Sequence, residues 1–219
     1  ESTTLEVLKS EGLESPNYLF VTVKIPADAE VGDHTFVFRN TKGKKTGRLT
    51  VHLKSREEGS AARKGFTSAD FIYLLTPDRF RNGDPSNDRV KGMLEGPDRA
   101  FQGGRHGGDL AGVIESLEYF KSLGVSSLWL NPVLENDMPA YSYHGYAMTD
   151  LYAVDARYGS NALYKELADK AKEKGIGLIM DQVANHIGSS HPWMADLPSK
   201  DWVNQWPEFT QTNHMKVSR

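Results

Sequence analysis

The sequence predicts two architectures in series: an antiparallel β domain, a charged linker, and a parallel α/β domain. Three observations carry this expectation. Apolar and polar positions alternate in short runs within residues 1–53, with turn-forming clusters between them. Residues 54–65, "KSREEGSAARKG", are charged and poor in large apolar side chains. From residue 66 short apolar runs alternate with stretches of helical period, the pattern of strands joined by crossover helices.

In "NYLFVTVKI", Leu19, Val21, Val23 and Ile25 fall on one face, the period-two signature of a strand. "PADAEVGD" then reads as a turn, "HTFVFRN" as a second strand, "TKGKKTG" as another turn, and "RLTVHL" as a third strand with Leu49, Val51 and Leu53 alternating. The spacing fits part of an immunoglobulin-like β-sandwich, an incomplete one, because a full sandwich takes about 100 residues. Beyond the linker, "FIYLL" is a short strand. Asp109 can cap a helix in which Leu110, Val113, Ile114, Leu117, Phe120 and Leu123 recur at helical spacing and Gly124 ends the run. "VSSLWLNP" is the second strand; Ser160 can cap a helix with Leu163, Tyr164, Leu167, Ala168 and Ala171 on one face and Gly175 at its end; "IGLIMDQV" is the third strand. Three strands and two helices suit an open doubly wound sheet or the opening of a (β/α)8 barrel equally. Either fold gathers ligands beyond the carboxyl ends of its strands.

Composition narrows the function classes. The 219 residues carry a net charge of −3 with both signs interspersed, which gives no basic footprint for nucleic acid. The absence of cysteine excludes disulfides and thiolate metal sites. No apolar stretch reaches the roughly 20 residues of a membrane span, and "ESTTLEV" lacks the basic and apolar regions of a signal peptide. HEXXH, GXSXG and Gly-rich phosphate loops are missing as well.

Three polar clusters lie where such a sheet would place a site. "NGDPSND" offers Asn82, Asp84, Asn87 and Asp88 in one turn, and "GRHGGD" adds Asp109. Hard cations such as Ca²⁺ take six to eight oxygens from side chains and backbone carbonyls, which a turn of this kind can supply; an Asx-rich surface turn is the plainer alternative. "YSYHGYAMTD" brings Tyr141, Tyr143, His144 and Tyr146 into one loop, suited to stacking on sugars or to packing on the core. "MDQVANH" ends the third strand with Asp181, Asn185 and His186, either a binding wall or a strand-end acid with a satisfied histidine.

The order of these segments along the chain is specific. The series "IYLLTPDRFRNGDPSND", "RHGGDLAGV", "LGVSSLWLNPVLEN", "YHGYAMTDLYAVDARYGS" and "GIGLIMDQVANH" resembles the opening of the α-amylase family, glycoside hydrolase family 13, and "DQVANH" matches that family's signature Asp-x-Val-x-Asn-His after barrel strand three. The β domain in front points to the neopullulanase and cyclomaltodextrinase branch. The resemblance implies a (β/α)8 barrel begun at residues 66–187 and truncated after strand three, with residues 188–219 opening an inserted domain. It implies a calcium site made by Asn82, Asp84, Asn87, Asp88, the carbonyl of Gly107, and Asp109. It also implies that Tyr146 stacks on the glucose at the cleavage point, His144 lines the pocket, His186 hydrogen-bonds the sugar, Asp181 fixes the network beneath it, and Asn185 holds the loop or a second metal.

The family's retaining chemistry needs a nucleophile and an acid about 5 to 5.5 Å apart. In that family the nucleophile Asp follows strand four and the acid Glu strand five, so Asp181 and His186 are expected to support a site whose carboxylate pair this chain lacks. The expectation is a hydrolase of α-1,4-glucosidic bonds in cyclodextrins, pullulan or maltodextrins, inactive as these 219 residues alone. A non-catalytic α-amylase-like binding or scaffold protein is the alternative, and an isolated sugar-binding β module is disfavoured because no tryptophan pair precedes residue 60. Three open strands should leave the chain poorly soluble or packed against another chain. Oligomeric state stays open, a homodimer of the full-length form being one option; the resemblance points to the periplasm, with the cytoplasm as the other compartment.

Overall fold

The computed structural model describes residues 5–204 together with 210–211 and 216–217. The chain divides into two compact units, Glu1–Gly65 with Asp196–Arg219, and Phe66–Ala195.

The first unit holds two separate antiparallel pairs: β1 (Glu6–Gly12) with β2 (Leu19–Lys24), and β3 (Gly32–Arg39) with β4 (Lys45–Leu53). The β3–β4 turn is tight because the Asn40 side-chain oxygen accepts the Lys42 and Lys44 amides, both at 3.0 Å, and Gly43 takes φ 76°. β1 lies outside the strands expected from the sequence. Its register slips between Val7 and Lys9, so its apolar residues do not alternate. The alternation of β2 is real, yet its face is open: Leu19 is 53% and Ile25 58% exposed. Leu5, Val7, Leu19 and Val21 line an open cleft of about 530 Å³ together with Phe36 and Phe38. Asp196, which the sequence assigns to an inserted domain, belongs to this unit, where its carboxylate accepts hydrogen bonds from Ser15 Oγ at 2.7 Å and Asn17 Nδ2 at 2.8 Å. A further short antiparallel pair, β8 (Thr210–Gln211) with β9 (Lys216–Val217), belongs to the same unit.

In the second unit β5 (Ile72–Leu75), β6 (Ser127–Leu130) and β7 (Gly177–Met180) form a parallel sheet in that order. One face is covered by helices. Leu110, Val113, Leu117, Phe120, Leu128, Leu167 and Ala171, all 1% exposed or less, make its core. Each large side chain buried there contributes about 1.5–3 kcal/mol. On the opposite face Leu74 and Trp129 stand exposed. Helix α4 (Asn161–Glu173) starts where Ser160 Oγ accepts the Leu163 amide and stops before Gly175, at φ 75°. The helix after Asp109 is not continuous. It breaks into α2 (Leu110–Glu115) and α3 (Leu117–Ser122), because Ser116 Oγ donates to the Gly112 carbonyl at 2.8 Å and its backbone leaves the helical region. A one-turn helix, α1 (Pro77–Phe80), follows β5. Among the described residues no helix is long and apolar enough to cross a membrane.

The loops beyond the strand ends are tied by a buried ion pair. Arg157 grips Asp155 through Nε at 2.9 Å and Nη2 at 2.8 Å, and also donates to the carbonyls of Glu95 and Asn136. The amide of Asn136 donates in turn to Asp155 Oδ2. Both charged side chains are 1% exposed or less, so each depends on the other for its compensation.

Candidate functional site

The loops leaving β6 and β7 bring Tyr146, Asp181, His144 and His186 together. Asp181 immediately follows β7, and its Oδ2 accepts the Tyr146 hydroxyl at 2.8 Å and Trp129 Nε1 at 3.1 Å. His186 Nε2 meets the Tyr146 carbonyl at 2.8 Å, while Asn185 Nδ2 lies 2.9 Å from His186 Nδ1. A carbonyl only accepts and an amide N–H only donates, so the imidazole carries its proton on Nε2 in this arrangement. His144 Nδ1 accepts the Tyr146 amide at 2.9 Å, and the two rings stack at 5.9 Å with 30° between their planes. The Tyr146 ring is thus held at its hydroxyl, its amide and its carbonyl.

Electrostatics fix the protonation states. Burial pushes the Tyr146 phenol up to about 12, and the hydrogen bond and charge of Asp181 push the same way, so the hydroxyl remains a donor throughout the physiological range. Burial also lowers the pKa of His144, aided by His186 and opposed by Glu95. Its imidazole is the neutral form at neutral pH.

The residues Asn82, Asp84, Asn87, Asp88, Gly107 and Asp109 form a second cluster, ordered by Asp109. Its Oδ1 accepts the Gly83 and Gly112 amides at 3.1 and 2.7 Å; its Oδ2 accepts the Asp84 amide and Asn87 Nδ2 at 2.8 and 3.2 Å. Asp84 Oδ1 accepts both the amide and the hydroxyl of Ser86, which lower the Asp84 pKa. Asn82 Nδ2 donates to Asp88 Oδ1 at 2.7 Å. The side-chain oxygens of Asn82 and Asn87 are buried with no hydrogen-bond partner. Gly107, at φ 87°, brings its backbone close to the same group: a Cβ there would fall 2.5 Å from Asp88 Oδ1 and 2.9 Å from Asn82 Nδ2. Two orphaned amide oxygens beside a carboxylate and a close backbone suit a hard cation with oxygen ligands. Among the described residues no group of three or more His, Asp or Glu gathers for a metal, so these amide and backbone oxygens would have to do much of the work.

Several participants were not legible in the motifs. Trp129 reads as a core strand residue, yet its indole reaches Asp181 because β6 and β7 pair in parallel register. Asp78, 1% exposed, accepts the His106 and Gly107 amides and pairs with Arg79 at 2.5 Å, so it shapes the loop that carries Gly107. Its position directly after β5, in "TPDRF", was the available signal.

Residues 71–217 match the family profile "Alpha amylase, catalytic domain", and residues 1–57 match "Cyclomaltodextrinase, N-terminal". A cyclomaltodextrinase of Thermoanaerobacter pseudethanolicus is 37% identical over 65% of this chain and 25% of its own length. Neopullulanase 2 of Thermoactinomyces vulgaris is 34% identical over 68% of this chain and 25% of its own. A crystal structure of an Anoxybacillus α-amylase superposes with a TM-score of 0.57 at 35% identity, over 64% of this chain and 29% of that one. The chain spans 12–25% of the length of curated relatives that it matches. It belongs to the alpha-amylase family, with a cyclomaltodextrinase-type N-terminal domain preceding catalytic-domain sequence.

Proposed function

We propose that this chain provides one wall of the sugar pocket of a calcium-dependent α-glucan hydrolase acting on α-1,4-glucosidic bonds in cyclodextrins, pullulan or maltodextrins. The observation that carries the proposal is the fixation of Tyr146 by Asp181, His144 and His186 at the strand ends. A phenol held protonated, with its ring locked, offers a stacking face and a rigid edge to a pyranose. His144 supplies a neutral imidazole edge for its hydroxyls, His186 a second imidazole beside it, and Asp181 holds the Tyr146 hydroxyl in place. Asn185 orients His186.

Asn82, Asp84, Asn87, Asp88, Gly107 and Asp109 are the residues that would hold calcium, and the orphaned Asn82 and Asn87 oxygens support this assignment. The ion's contribution there is structural: it would draw the loop after α1 to the turn before α2 through shared oxygen ligands. The nucleophile and the general acid would come from sequence outside these 219 residues, so residues here bind and orient sugar without cleaving it. The likeness to a periplasmic α-amylase of Escherichia coli, 39% identical over 60% of this chain and 21% of its own length, favours the periplasm.

The test is titration of the chain with maltoheptaose, followed by NMR, in calcium and after chelation. Binding that Tyr146→Ala abolishes supports the proposal. Binding that survives Tyr146→Ala removes the pocket wall from this cluster.

A further inference from the structure

Tyr141 is the one described residue other than glycine with positive φ, at 60° with ψ 18°. A bulky side chain rarely adopts this left-handed conformation, so the surroundings must impose it. They do so through the next residue. Ser142 is fully buried; its amide donates to Glu95 Oε2 at 2.7 Å and its hydroxyl accepts from Arg105 Nη1 at 3.2 Å. Arg105 is itself buried, with its guanidinium 4.7 Å from the centre of the Tyr158 ring.

The forced backbone does not bury Tyr141. Its ring stays 53% exposed and meets Phe101, itself 39% exposed, edge to face at 5.4 Å. The loop beneath is rigid: Arg79 donates to the carbonyls of Gln102 and Gly104 at 2.8 and 2.7 Å, and its guanidinium stacks 3.8 Å from the Tyr143 ring. Gly103 permits the arrangement, since a Cβ there would lie 2.3 Å from Tyr141 Cε1 and 2.9 Å from Phe101 Cε1. Two exposed rings are thus braced by the buried Arg105, the partly buried Arg79 and Glu95, and a glycine, at the start of the Ser142–His144 turn that leads to Tyr146. Tyr141 directly precedes that turn and lies five positions before Tyr146 in the same loop.

We propose that Tyr141 and Phe101 form a second sugar-stacking surface, which takes a more distant pyranose of the same glucan that lies against Tyr146. The inference rests on the pocket-wall function proposed above. It adds a length requirement: a long oligosaccharide reaches both surfaces, and a short one reaches only the Tyr146 cluster. The rings present a hydrophobic face without charge, suited to the C–H faces of neutral sugars.

The experiment titrates the full chain and three variants with maltotriose and with maltoheptaose by NMR. Tyr141→Asn removes the ring but keeps a residue that tolerates the left-handed backbone; Tyr141→Phe keeps the ring; Tyr146→Ala tests the inner cluster. The expected result is a roughly three- to tenfold loss of maltoheptaose affinity in Tyr141→Asn. Maltotriose affinity should be unchanged in Tyr141→Asn, and Tyr141→Phe should match the unsubstituted chain. Unchanged maltoheptaose binding in Tyr141→Asn overturns the proposal, as does failure of the unsubstituted chain to bind either sugar. A Tyr146→Ala variant that binds normally while Tyr141→Asn is weakened leaves this surface standing and removes the inner one.

Discussion

Replacing Asp109 by alanine should destabilise the second unit by about 3–5 kcal/mol. The carboxylate is fully buried and accepts four hydrogen bonds: from the Gly83, Gly112 and Asp84 amides and from Asn87 Nδ2. The bond to the Gly112 amide is also the cap of α2, so its loss is counted once. The Gly112 amide is left buried and unpaired, and Gly83 and Asn87 lose partners in partly buried positions; each orphaned donor costs about 1–3 kcal/mol. The Asp84 amide lies near solvent and recovers much of its loss from water, which keeps the total below the sum of the four. Asp109→Asn retains one acceptor oxygen and should lose about half as much. Urea unfolding, monitored by the fluorescence of Trp129 and Trp193 in this unit, gives both values. A loss below about 1 kcal/mol for Asp109→Ala would refute the claim that this side chain organises the turn.

Calcium should raise the melting temperature of the second unit. At a hundredfold excess over its dissociation constant the ion contributes about 2.7 kcal/mol, or roughly 5–10 °C for a domain of this size, and the response should vanish in an Asn82→Ala, Asn87→Ala double variant; differential scanning calorimetry with and without a chelator decides it. Arg157→Met should cost about 3–5 kcal/mol by urea melt, because it leaves Asp155 charged and buried without its guanidinium partner; a neutral substitution would show that the pair is dispensable. Stability should fall on acidification through His144 and His191, whose pKa values burial lowers. Their contribution is complete above the unfolded value of 6.5 and is lost as pH falls from there through the folded values, so melts at pH 7.5 and 5.5 should differ, and the difference should shrink in His144→Asn, His191→Asn.

The sequence showed the α/β half more clearly than the β half, for a physical reason. Helix α4 announces itself through a cap, a stripe and a terminal glycine, all of which act within a few residues. The strand after it ends in Asp181, and the parallel register then brings that carboxylate to Trp129, a pairing no local pattern encodes. The helix after Asp109 has an unbroken apolar stripe, and only the hydroxyl of Ser116 competing for the Gly112 carbonyl splits it. β1 escaped because its register slips. The chemistry of the polar clusters was legible as residue type, but not the division of labour within them: Asp109 organises the turn, while Asn82 and Asn87 leave oxygens free. Nor did spacing reveal that Tyr141 is held in a left-handed backbone by the contacts of Glu95 and the buried Arg105 with the buried Ser142.

The measurement that tests the central claim most directly follows maltoheptaose with the purified 219-residue chain, reading binding by NMR and reducing-sugar release from one tube, with intact mass confirmed near 24.4 kDa. Binding without release is the predicted result, because the proposed function gives these residues a sugar-holding wall and assigns the nucleophile and acid to sequence outside them. Sustained release at that mass would contradict the account, because a nucleophile would then have to lie among these residues; absence of binding would contradict it equally.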